Sequence, residues 1–483
     1  MPAIDHVLLF VALLLLLSVA ASTLSARVGV PSLLLFAGIG MLAGSDGPGG
    51  IYFDHPWVAQ LVGITALALI LFAAGLETNV ETIRPVLWKG LSLSTIGVLV
   101  STLLVGAVAM PVLKFTFLEG LLLGAIVSCT DAAAVFNLLR SRGVHLKGRL
   151  AQLIEFESGS NDPMAITLTI VFLALITDAE AGGASVALML VQQLGLGALL
   201  GVAGGRAAVT ALSSIRLYWD GLYPVFSLTV ALLVYSGTAS LGGNGFLAVY
   251  IAGVMIGQRN IIHRSTVRLF HDGLAWLAQI VMFLVLGLQV FPSRLPQIAG
   301  AGLTVAFFLM FAARPLSVLI ALPVGVSVRE RLLIAWAGLR GAAPIVLATF
   351  PLLAGVRHSD VIFHVVFFVA LTSLLLQGTT LPRVARWLGL QAEDSTRRVF
   401  PLLFNPATAT DRQVLELQVA RGASAEGKRI MELGLPAGVL ILLVNRADQF
   451  VVPQGGTILR FGDSVLVMTD AGKAHAVRAV FTG

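Results

Sequence analysis

The sequence predicts an all-α polytopic membrane protein of thirteen transmembrane helices, followed by a small α+β domain. Three observations carry that expectation. Of 483 residues, 57% are hydrophobic and only 12% charged, whereas an ordinary soluble protein is about 25% charged. Apolar runs long enough for a helical span, which needs roughly 20 residues, recur as far as about residue 385. Beyond that point short alternating segments and turn residues take over.

The runs lie near 5–25, 30–44, 57–76, 88–113, 117–139, 149–176, 185–211, 222–241, 244–257, 267–290, 297–322, 329–352 and 361–381, the second and ninth being short. The first could be taken for a secretory signal because "STLSAR" offers small residues. Such signals begin with positive charge, whereas this run begins with Asp5 and His6, so a retained span is expected. The single cysteine, Cys129, excludes an internal disulfide.

A net charge of +6 could suggest nucleic acid, but topology explains it better. In one set of alternate loops and span ends there are sixteen Lys and Arg, among them Arg84, Arg140, Lys147, Arg206, Arg264, Arg329 and Arg386; the other set holds Lys114, Arg294 and Arg357. By the positive-inside rule the chain is a multi-pass protein of the cell (inner) membrane with its N-terminus outside and its C-terminus cytoplasmic. The acidic, glycine-rich loop "GSDGPGGIYFDHP" then falls outside.

The sixth span contains "FESGSNDPMAI" (156–166). A charge at the bilayer centre costs about 2.5–3.5 kcal/mol on insertion scales, so such residues point to function. Helical spacing puts Ser158 and Asp162 one turn apart on one face, and Glu157 and Asn161 one turn apart on the next. Gly159 permits close approach, and Pro163 removes one helical hydrogen bond. The stretch presents oxygen ligands suited to a monovalent cation, and a carboxylate can take a proton in the same position.

Two further spans are interrupted. The fifth carries "SCTDAAAVF", whose Ser128, Thr130 and Asp131 compete with the helix ladder. The twelfth carries "AWAGLRGAAPIVLA", with Gly338, Arg340, Gly341 and Pro344. An inverted repeat offset by seven spans makes these two equivalent, and paired discontinuous helices mark a transport site; they are expected to cross. Glu157 and Arg340 are each too costly alone and read as a structural ion pair, which leaves Asp162 as the titrating group. Asp131 reads equally as a helix cap or a cation contact. Arg314, His145, His263 and His271 read as structural or interfacial. "GVAGGRA" (201–207) has no preceding strand, so it reads as a helix-packing stripe rather than a dinucleotide fingerprint.

Taken together, "FESGSNDP", "TDAAAVF" and "GLRGA" resemble the cation/proton antiporters of the sodium/hydrogen-exchanger type, the electroneutral branch with an Asn-Asp motif. The resemblance runs from the first span to about residue 385. It implies thirteen helices divided between a dimerisation domain and a core domain with crossed, broken helices. It also implies that Asp162 is the ion- and proton-binding carboxylate, with Ser158 and the backbone or hydroxyl of Thr130 as further cation ligands and Asp131 nearby through water. Asn161 would hold the cross-over, and Glu157 with Arg340 would stiffen the core. Many relatives have proline after the fifth-span aspartate; here it is Ala132.

After a polar linker (386–412), residues 413–483 read as a regulatory module of short strands "LELQVA", "GVLILLVNR", "FVVP" and "DSVLVMT", with "EGKRIMELGLP" as a short helix between strands in a βαβ-like or α+β unit. A core this small favours pairing with a second copy. The module is similar to the TrkA C-terminal domain, matching at "GK", "LP", P-x-G-x-T and "GD". Antiporters with this tail are mostly potassium/proton exchangers involved in cell-volume regulation. Its usual Rossmann neighbour is absent, which argues against a nucleotide bound in that manner, although a regulatory nucleotide such as a cyclic dinucleotide binds some such tails.

The expectation is therefore a homodimeric carrier in membrane lipid, not an enzyme, with no cofactor and no nucleic-acid partner. It would exchange K+, or alternatively Na+, for H+ at residues 1–385. A ligand-gated cation channel is the rival, but channels line a continuous axis with rings of ligands, which a single Asp162 does not supply. An intramembrane enzyme lacks a nucleophile, base and metal set.

Overall fold

A computed structural model describes residues 4–28, 30–53, 55–178, 183–215, 217–259, 261, 263–322, 325–392, 412–420, 422–446 and 449–482. The chain divides into two units, Met1–Glu393 and Asp394–Gly483.

Among the described residues of the first unit, nine helices are long and apolar enough to cross a membrane and four apolar helices are shorter. In chain order, with the less apolar helices α5b and α12a added, the helices are α1 (Ile4–Val28), α2 (Ser32–Ala43), α3 (Pro56–Glu77), α4 (Val80–Leu113), α5a (Phe117–Ile126) and α5b (Ala132–Ser141), α6 (Leu150–Thr177), α7 (Gly183–Ser214), α8 (Leu222–Ser240), α9 (Gly245–Gly257), α10 (Arg264–Leu288), α11 (Pro292–Ala321), α12a (Val328–Trp336) and α12b (Ala342–Leu353), and α13 (Ser359–Trp387). The short helices α2 and α9 are the two short runs of the sequence, and the other two shorter apolar helices are α5a and α12b, halves of the two interrupted spans.

These interrupted helices share a plan. Each opens with a capping box, Thr116 with Glu119 in α5a and Ser327 with Glu330 in α12a, which satisfies orphan donors at the first turn. Each then breaks over five residues, 127–131 and 337–341, before helix resumes. That is the equivalence an inverted repeat requires. α4 and α11 also match, each carrying one π-helical turn, at Leu93–Gly97 and Leu309–Ala313.

Small residues let the helices close up, as packing in lipid demands. On α7, Gly197, Gly201 and Gly205 recur every four residues against α9: a Cβ at Gly197 would meet Asn244 O at 2.8 Å, and one at Gly201 would meet Ala248 Cα at 2.8 Å. The glycine-rich stretch 201–207 is thus a packing stripe. Gly75 of α3 and Gly253 of α9 similarly abut Tyr250 O and Phe72 O, each at 2.5 Å from an added Cβ.

The chain stays attached to this unit past residue 385. Lys147 N–H donates to Leu390 O (2.8 Å) and Ala392 N–H to His145 O (2.7 Å), so the segment 390–392 expected to begin the linker is paired. Residues 393–411 of that linker lie outside the described residues.

The second unit is a four-stranded antiparallel sheet in the order β1-β4-β2-β3, with β1 Arg412–Gln418, β2 Leu440–Arg446, β3 Gln449–Val451 and β4 Ser464–Asp470. It corrects the βαβ-like alternative and the helix expected in "EGKRIMELGLP". That stretch makes one 3-10 turn, Ile430–Glu432. Gly427 and Gly434, at φ of 75° and 60°, bracket it in the left-handed region that ends helices. The helix of the unit is instead α14 (Ala474–Thr482), whose Val477 and Phe481, one turn apart, are buried with Val419, Leu459, Val465 and Val467.

Candidate functional site

The site forms where α5 and α12 are interrupted and α6 passes beside them. The two breaks cross: Asp131 N–H donates to Leu339 O at 2.8 Å. The approach is close enough that a Cβ on Gly341 would strike the Asp131 carboxylate. Asp131 Oδ1 accepts the Ala134 N–H at 3.0 Å, capping α5b, and Asp131 also lines the cavity described below.

Two side chains of α6 hold the fifth break open. Ser158 Oγ donates to Thr130 O (2.7 Å) and accepts the Ala132 N–H (2.9 Å), bridging both sides of Asp131. Asn161, fully buried, donates through Nδ2 to Thr130 Oγ1 (2.7 Å) and accepts the Thr130 N–H through Oδ1 (3.4 Å). These bonds replace ladder bonds lost by unwinding. Without partners such groups would be costly at membrane depth.

Arg340 does not pair with Glu157 as expected. It reaches along the end of α5a, where Nη1 donates to Ser128 O (2.5 Å) and Cys129 O (2.6 Å). Orphan carbonyls at a helix C-terminus attract a cation. Glu157 pairs instead with Arg314 of α11, Oε1 to Nη2 at 2.5 Å. This pair gives Arg314 a structural role, and Gly338, at the twelfth break, lies against its side chain. Behind Arg340, its N–H donates to Ser373 Oγ (3.1 Å), Ser373 Oγ donates to Gln377 Oε1 (2.6 Å), and Gln377 Nε2 donates to Trp336 O (3.2 Å), the end of α12a.

Asp162 stands apart from these bonds. It is 8% exposed, and its Oδ1 has no hydrogen-bond partner among the described residues. Together with Thr130, Asp131 and Ser158 it lines a cavity of about 640 Å³. The cavity runs past Tyr250, whose ring fills the space beside Gly159, to Glu77, Arg140 and Asp272, all exposed. It therefore opens at the end of the bundle where α3 and α5b terminate and α6 begins.

The sequence reading did not single out Asn244, Tyr250, Ser373 and Gln377. Asn244 carried a signal, a helix-cap residue before a short apolar run. His271 is buried, 1% exposed, and shares a 2.8 Å hydrogen bond with Ser227 Oγ of α8, a structural placement.

Irregular backbone inside a membrane survives where it is buried or lines a cavity. Here two crossed interruptions do so beside a buried carboxylate that lines a cavity, the arrangement expected of a secondary transporter. Residues 11–387 match the family model described as sodium/hydrogen exchanger, transmembrane, and residues 414–482 match the TrkA-C domain. The chain belongs to the sodium/hydrogen exchanger family and is a cation/proton antiporter. It is 39% identical over 473 residues to a protein named K(+)/H(+) antiporter NhaP of Alkalimonas amylolytica, covering 97% of this chain and 82% of that one. It is 38% identical over 484 residues to K(+)/H(+) antiporter NhaP2 of Shewanella sp. strain MR-4, covering 99% and 84%. Its fold matches the sodium proton antiporter MjNhaP1 of Methanocaldococcus jannaschii, with a TM-score of 0.70 at 23% identity over 80% of this chain and 99% of that one.

Proposed function

We propose that this protein exchanges K+ for H+, and that Asp162 carries either ion but never both. The observation that carries the reading is Asp162, a residue that lines a cavity reaching the surface and whose buried Oδ1 has no hydrogen-bond partner among the described residues. Deprotonated, Asp162 takes a dehydrated cation, with oxygens of Ser158 and Thr130 as further ligands; protonated, it has no charge to offer. An empty carboxylate crossing the barrier is penalised by desolvation, and that penalty couples the two fluxes. In this reading Asn161 and the Arg340 bonds fix the crossing, the Glu157–Arg314 pair stiffens it, and Asp131 serves as cap while lining the cavity.

Potassium is favoured over sodium because relatives that align along 97% and 99% of this chain carry K(+)/H(+) in their names. We assign residues 1–385 to transport, with the N-terminus outside and the cavity open to the cytoplasm, and residues 413–483 to regulation by a small ligand, a nucleotide among the candidates. A homodimer through both units, with the membrane part splitting into a scaffold and a moving core, supplies alternating access in membrane lipid. Deleting the tail is expected to leave exchange intact and to change only its pH or ligand dependence.

The test is collapse of a preset pH gradient in proteoliposomes on adding K+, Na+ or Li+. K+ is expected to be most effective in the wild type, and Asp162→Asn is expected to be silent with all three. A wild-type response from Asp162→Asn would remove that residue from the mechanism.

A further inference from the structure

We propose that Asn244 is a positioning residue for exchange: a latch that holds the site shut at the end opposite the cavity and must release before the cation can pass there. The inference rests on the reading of Asp162 given above.

Asn244 precedes α9 and is 1% exposed. Its N–H donates to Gln193 O of α7 at 2.9 Å, and its Oδ1 accepts the Leu247 N–H at 3.0 Å, capping α9. These bonds fix it to α7 and α9. Its Nδ2 points the other way, donating to Pro163 O (2.7 Å) and Thr167 Oγ1 (2.9 Å) of α6. The grip begins one residue beyond Asp162.

A helix cap needs only an oxygen, which Ser, Thr or Asp supplies as well. The amide nitrogen of Asn244 is thus explained by its reach to α6. Asp162 lies between two different surroundings. On one side is the cavity; among the residues that line it, none comes from the 241–244 turn or from α6 beyond Asp162. On the other side α6 is bonded to the start of α9, and Thr167 is itself fully buried. Opening that end requires parting α6 from Asn244, which breaks both bonds at once. Each bond therefore favours the state whose cavity faces the surface at Glu77 and Arg140.

The variant Asn244→Ser keeps an oxygen for the cap and is too short to reach α6. Apparent KM for K+ would be measured in everted and right-side-out vesicles, each presenting one face of the membrane. Loss of two buried hydrogen bonds is expected to shift the balance between states on the order of tenfold. Apparent KM then rises on the cavity face and falls on the opposite face. Thr167→Val, which leaves the cap intact, removes one acceptor and is expected to move both values the same way but less. It decides the matter if Asn244→Ser does not fold. Unmoved values, or equal changes on both faces, would overturn the latch while exchange itself continues. A wild-type chain showing no exchange at all would overturn both the latch and the carboxylate reading beneath it.

Discussion

Glu157 of α6 and Arg314 of α11 form an ion pair at 2.5 Å with side chains 2% and 3% exposed. Removing one member of a buried pair leaves an uncompensated charge and typically costs about 3–5 kcal/mol. Arg314→Gln is therefore expected to lower the unfolding temperature in detergent sharply. The double variant Arg314→Gln with Glu157→Gln should regain much of the loss. Equal instability of the single and double variants would mean that another group, Arg340 included, neutralises Glu157.

Asp131 separates two roles by chemistry. As a cap it needs an oxygen at the Ala134 N–H, which Asn supplies and Ala does not; losing a cap costs about 0.5–2 kcal/mol. Asp131→Asn is expected to keep fold and exchange, whereas Asp131→Ala should be less stable by that amount in thermal unfolding. Abolition of exchange by Asp131→Asn, with unchanged stability, would instead make its charge part of cation binding.

At the opposite end from the cavity, Asp46 Oδ2 accepts the Ser293 N–H at 3.0 Å, tying the α2–α3 turn to the start of α11. Hydrogen bonds from Ser293, side chain first and backbone second, hold the Asp46 carboxyl below its ordinary value, 3.8. A depressed folded value means the tie is fully present above 3.8 and is lost as pH falls through the lower folded value. Protection of the Ser293 amide from hydrogen exchange, corrected for intrinsic rate, is expected to hold from neutrality to about pH 4 and to drop in stronger acid. An Asp46→Asn variant should show a weaker, pH-independent protection.

Much of this was legible in the sequence because a membrane makes polar residues conspicuous. Asp162, Asn161 and Ser158 stood out in an apolar run, and Ser128, Thr130, Gly338 and Gly341 marked the breaks. The partner of Glu157 was not legible. Two intramembrane arginines offered the same chemistry, and the choice depends on the path of α11, where a π-helical turn ends immediately before Arg314. Asn244 was not singled out, since nothing local reveals a bond to Pro163, 81 positions away. In the tail, two buried apolar residues one turn apart, Val477 and Phe481, are too short a periodic signal to mark α14.

The most direct measurement of one carboxylate serving two ions is proton release on K+ binding, followed in weakly buffered detergent solution. Near the pH where Asp162 is protonated, saturating K+ is expected to release up to one proton per chain, and Asp162→Asn none. K+ binding with no proton release in the wild type at any pH, or undiminished release from Asp162→Asn, would contradict competition at that side chain.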